Sequence, residues 1–140
     1  MSLEERIRLA LQAVGARFKG LVGAPVARTV ALGTAYQPSA PTRATWVTIT
    51  LTSTASLSLT GGSTNTADIV MGPTAAIATT GGNAVGRYSN TNTGALTIGL
   101  ALSTVATNSF TIAVPAGWYY AVRPVAGTVS VVSAFEQPLG

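Results

Sequence analysis

The sequence predicts a mainly β chain: an antiparallel β-sandwich or jelly roll of about eight strands, preceded by one N-terminal α-helix. After position 44 apolar residues recur with a period of two, so one side of each extended segment is hydrophobic. Clusters of Gly, Pro and Asn interrupt that pattern at short intervals. No helical period returns after residue 23 to supply the crossovers a parallel sheet needs.

The helix opens the chain. Ser2 and Glu5 have the spacing of a capping box, in which the hydroxyl accepts an early backbone N–H and the carboxylate reaches back to the cap. Glu4 and Glu5 suit the positive end of the helix dipole, Arg17 and Lys19 the negative end, and Gly20, Gly23 and Pro25 supply the stop. Leu3, Ile7, Leu11, Val14, Phe18 and Leu21 form an apolar seam, spaced four and three from Ile7 onward. That seam requires a cover: the chain's own β-domain, further copies of the helix, or a larger assembly.

Residues 1–23 are thus expected as an attachment or oligomerisation helix, 24–43 as a linker with one short strand in "ARTVALGTAY", and 44–140 as the sandwich. In the sandwich Val47, Ile49 and Leu51 alternate with Thr48, Thr50 and Thr52. "TGGSTNT" and "TTGGNA" are turn signals ahead of the strands "ADIVM" and "VGRYS". "ALTIGLALS", "SFTIAV", "WYYAVRPV" and "TVSVVSAF" complete the set.

Composition narrows the function classes. With no Cys and no His, neither thiolate metal sites nor Ser-His catalysis can be assembled, and Lys19 is the only lysine. Residues 44–140 offer Asp68 and Glu136 as their only carboxylates, with Glu136 read as part of a C-terminal tail, a poor basis for paired acid-base work or calcium. The expectation is a non-enzymatic chain without cofactor or metal. The net charge of +4 resides before position 44, on Arg6, Arg8, Arg17, Lys19, Arg28 and Arg43, and the β-region is near neutral. A nucleic-acid partner would require cations gathered on one face. No apolar run reaches the length of a membrane span, and Glu4, Glu5, Arg6 and Arg8 break any signal-peptide core.

The densest set of contact-forming side chains is Trp118, Tyr119, Tyr120 and Arg123, with Arg87 and Tyr88 as candidate neighbours on a surface or interface. Core packing is the stronger account of such aromatics in a strand, where Trp118 and Tyr120 face one way and Tyr119 the other, so at least one face belongs to the core.

Two stretches, "LGTAYQPSAPTRATWVTITLTSTASLSLTGGSTNTADIVMG" and "YSNTNTGALTIGLALSTVATNSFTIAVPAGWYYAVRPV", resemble small virion proteins of tailed bacteriophages and the end domains of their fibres. The N-terminal helix is similar to those that attach such proteins to the particle. The resemblance implies a virion component made in the host cytoplasm and exposed on the particle, commonly a homotrimer contacting capsid or tail proteins. It would act as a short fibre or receptor-binding tip, with host-surface glycan as a partner, or as a capsid decoration (cement) protein. The absence of a shaft between helix and β-domain sets it apart from long fibres. A monomeric lectin-like carbohydrate-binding module is the alternative.

Overall fold

The computed structural model describes residues 2–21, 23–58, 61–93 and 102–139, and the side chains of all of these except 13–21 and 58. Helix α1 spans Leu3–Leu21. It starts as the capping box requires: Glu5 N donates to Ser2 Oγ and Ser2 N to Glu5 Oε2, both at 3.3 Å.

Nine strands follow among the described residues: β1 (Val26–Ala27), β2 (Ala35–Tyr36), β3 (Thr45–Ser58), β4 (Gly61–Gly62), β5 (Thr64–Gly72), β6 (Asn83–Thr91), β7 (Leu102–Val114), β8 (Tyr119–Ala126) and β9 (Ser130–Pro138). A single 3-10 turn, Ala75–Ala78, separates β5 from β6. The strands form two antiparallel sheets. In the first, β3 carries β7 along one edge, while β9, then β4 at its far end, occupy the other, and β1 lies outside β9. The second runs β2-β8-β5-β6.

The pairing is nested: β1 with β9, β2 with β8, β3 with β7, and β5 with β6. One long hairpin rolled over itself produces that order, so the sandwich is a jelly roll. Residues 24–43, expected as a linker, are woven into it. They supply β1 to one sheet and β2 to the other, and Val30 lies in the core. Two-residue strands carry no readable period, so these pairings were not visible in the sequence. "ALTIGLALS" falls mostly on residues 94–101, outside the described ones.

The core lies between the sheets. Val47, Ile49 and Leu51 of β3 are fully buried, as the alternation requires, and meet Ala67, Ile69, Tyr88, Tyr120 and Val122 of the opposite sheet. Their threonine neighbours face outward, where Thr48, Thr50 and Thr52 hydrogen-bond across to Thr111, Ser109 and Thr107 of β7 at 2.7–3.0 Å. The second sheet is covered on its outer side too: Ile77 of the 3-10 turn seals Val70 and Ala121.

Candidate functional site

Three places carry chemistry or unpartnered surface. The first is α1. Residues 2–12 are all exposed, and Leu3, Ile7 and Leu11 present 73%, 52% and 67% of their surface to solvent. This half of the seam is not covered by the chain's own β-domain. Val14, Phe18 and Leu21 have side chains outside the described ones.

The second place is between the sheets. Glu136, read from the sequence as part of a tail, is a fully buried residue of β9. Its carboxylate accepts from Tyr120 Oη at 2.7 Å, from Ser39 N at 3.0 Å and from Arg28 Nη1 at 3.2 Å. Arg28 also donates to Gln37 O and lies 5.1 Å over the Tyr36 ring. Burial pushes the Glu136 carboxyl upward, but the donors Tyr120 and Ser39 and the Arg28 charge outweigh it, and its pKa lies below the usual glutamate value. The same burial, with the Glu136 charge beside it, raises the Tyr120 phenol far above its ordinary range. The network fastens the 28–39 segment to β8 and β9.

The third place is the outer face of the second sheet. Strand register puts Asp68 of β5 directly opposite Arg87 of β6 and Arg123 of β8. Arg87 grips Asp68 with two parallel bonds, Nε to Oδ1 at 2.6 Å and Nη2 to Oδ2 at 2.9 Å. Arg123 Nη1 donates to the carbonyls of Ile77 and Gly81 and so pins the 3-10 turn to the sheet. The Arg87 bond, then the nearby Arg87 and Arg123 charges, hold the Asp68 carboxyl below its ordinary value against the opposing effect of burial.

The aromatic candidates divide differently from the expectation. Tyr120 and Tyr88, proposed as surface contacts, have no exposed surface and belong to the core. Each can be buried because its hydroxyl is satisfied: Tyr88 lies 2.8 Å from Ser53 Oγ and donates to Ala106 O at 2.6 Å. Trp118 and Tyr119 are half-buried against the two core clusters. Arg87 and Arg123 do share a surface, joined by Asp68, which the sequence reading weighed only as a metal ligand or acid. The outward aromatics are Trp46 and Phe135, which with Thr48, Thr111, Gln137 and Pro25 line a shallow groove on the first sheet.

As acids, the two carboxylates of the β-region are badly placed. One faces outward and the other lies between the sheets, and both have lowered pKa values, Asp68 through Arg87 and Glu136 through Tyr120, Ser39 and Arg28, whereas a general acid needs a raised one. Among the described residues no three His, Cys, Asp or Glu gather as a metal site, and no helix is long and apolar enough to cross a membrane. Comparison with protein-family models, curated proteins and solved structures finds no match.

Proposed function

We propose that this chain is a non-enzymatic structural protein of a bacteriophage particle, exposed on the virion and anchored or trimerised through α1. The observation that carries the reading is the apolar row Leu3, Ile7 and Leu11, exposed on a capped helix at the head of a jelly roll. Such a row is costly to leave in water and gains most by meeting a copy of itself or a partner helix. Jelly rolls are a recurring architecture of viral capsid and lectin domains, which agrees with the resemblance in sequence.

The sheet edge supports assembly as well. Strand β7 pairs only with β3 among the described residues, runs for 13 residues, contains no charged residue and no proline, and exposes Leu102 and Val105. An edge of that length without charges invites pairing with another chain unless a neighbour covers it. A short fibre tip and a capsid decoration protein both satisfy these features.

Light scattering of the purified chain, with thermal unfolding over a wide concentration range, tests the reading. A trimer whose midpoint rises with concentration is expected by mass action. A strict monomer with a constant midpoint would overturn it. That outcome would favour the monomeric lectin-like module, for which the exposed Trp46 and Phe135 beside Thr48 and Gln137 offer a stacking surface.

A further inference from the structure

Residues 44–140 contain four charged side chains, and three of them, Asp68, Arg87 and Arg123, sit side by side on one face. The fourth, Glu136, is buried against Arg28. The outward charge of this region is therefore concentrated at one spot. Two guanidiniums against one carboxylate leave it with a single positive charge.

Fastening the sheet does not use up this cluster. Among the described residues Asp68 accepts from Arg87 alone, through Nε and Nη2, and Arg87 Nη1, on a side chain that is 63% exposed, donates to none. Arg123 employs only Nη1 on the two carbonyls, so Nε and Nη2 donate to no described residue. The carbonyl bonds hold its guanidinium in place without neutralising it. Around the cluster lies a shallow recess, open to solvent, of about 580 Å³, with Gly33, Thr79 and Val125 among its walls. That is room for one or two sugar rings.

We infer that this recess binds the oxyanion group of an acidic saccharide, with Arg123 and Arg87 as the donors and Asp68 holding Arg87 in position. A planar guanidinium matches a carboxylate or a phosphodiester through paired N–H bonds. One net positive charge matches one monoanionic group. The chemistry common to a uronate carboxylate and a sugar-linked phosphodiester is what the site recognises, and the recess holds neutral sugar poorly by comparison. This inference does not rest on the virion reading, since it uses neither α1 nor any assembly.

The test is a titration of the full chain followed by nuclear magnetic resonance. Digalacturonate serves as the carboxylate probe, glycerophosphoglycerol as the phosphodiester probe, and maltotriose as the neutral one. A site-resolved readout is needed because Arg6, Arg8, Arg17 and Lys19 also attract anions. Saturable shifts are expected at the amides of Gly33, Thr79 and Val125 and at the side-chain Nε of Arg87 and Arg123, for one or both anions, and fading with salt. Which anion binds identifies the group. Arg123→Gln should weaken binding roughly tenfold, the effect of losing charge-assisted hydrogen bonds. Because Arg123 also pins the 3-10 turn, Val125→Glu provides a second variant: it changes an exposed rim residue and puts a negative charge beside the recess. It should abolish the shifts while the chain stays folded. Absence of shifts with both anions, equal shifts with maltotriose, or binding untouched by Val125→Glu would overturn the inference. Oligomeric state should be the same in both variants, so a failure here is separable from a failure of the assembly reading.

Discussion

The Tyr120 hydroxyl donates to Glu136 Oε2 at 2.7 Å in the space between the two sheets, joining β8 to β9 across the core. Arg28 closes the same carboxylate from the other side, 108 residues earlier in the chain. Tyr120→Phe removes the donor while preserving the ring. It should cost about 1–3 kcal/mol, the penalty for leaving a buried acceptor short of one partner. Urea denaturation should show a lower midpoint with an unchanged slope.

Acid should unfold the domain in a defined direction. Asp68 and Glu136 both have folded-state pKa values below their ordinary 3.8 and 4.5. Carboxyls depressed by folding stabilise the native state fully above their unfolded values and lose that contribution as pH falls through the folded ones. Stability should therefore be flat from neutrality down to about pH 5 and decline below it. Glu136→Gln should lower neutral-pH stability and flatten the acid limb, checked by chemical denaturation at stepped pH.

Ile7→Asp with Leu11→Asp puts two charges into the exposed row of α1. Under the proposed function, assembly or attachment to a particle should be lost in light scattering and binding assays. Intrinsic stability of the jelly roll, measured in the dilute monomer, should change by no more than about 0.5 kcal/mol, since surface sites away from special features contribute little.

Two hydroxyl deletions separate the inside of the sandwich from its outside. Tyr88→Phe strips a bond to the Ala106 carbonyl from a fully buried side chain and should cost about 1–3 kcal/mol. Thr50→Val deletes the Thr50 to Ser109 pair on the outer face and should shift stability by less than about 1 kcal/mol. Comparable effects from the two would contradict the strand orientation.

Gly127, between β8 and β9, adopts φ 63°, and an added Cβ would collide with the Asn65 side chain and the Thr64 carbonyl. Asn65 Oδ1 accepts from Thr128 N at 2.9 Å, so the turn and β5 are locked together. Gly127→Ala should destabilise by about 1–3 kcal/mol through backbone strain alone, with the clash adding to it. Thermal unfolding checks this.

The capping box at Ser2 and Glu5 and the inward row Val47, Ile49 and Leu51 were legible in the sequence because each depends on residues a few positions apart. Strands β3, β5, β6, β8 and β9 were legible for the same reason at least in part, whereas the single strand β7, Leu102–Val114, was expected only over "SFTIAV" and the end of "ALTIGLALS". Strands β1 and β2 were not delimited, since two residues cannot display a period, and only one short strand was expected across "ARTVALGTAY". Their formation depends on partners more than 80 positions away, Phe135 and Glu136 for one and Tyr120 and Ala121 for the other.

The site residues follow the same division. Arg87 and Arg123 could be picked out as candidates from the sequence, because an arginine beside tyrosines, as in "GRYS" and "WYYAVR", makes a contact-forming set. That Asp68 stands between them was decided by register, as β5 acquires β6 on one edge and β8 on the other. For Tyr88 and Tyr120 the sequence left surface contact and core packing both open, because an aromatic ring with a hydroxyl suits either environment. Only the folded chain, which places Ser53 and Ala106 against one hydroxyl and Glu136 against the other, makes the buried position affordable. The sequence by itself determined the period of the longer strands and the sign of each charge, which are local properties. The nested pairing of a jelly roll, the burial of Glu136 and the clustering of the arginines were decided by the tertiary structure, because hydrogen-bond partners and solvent access exist only once distant segments meet.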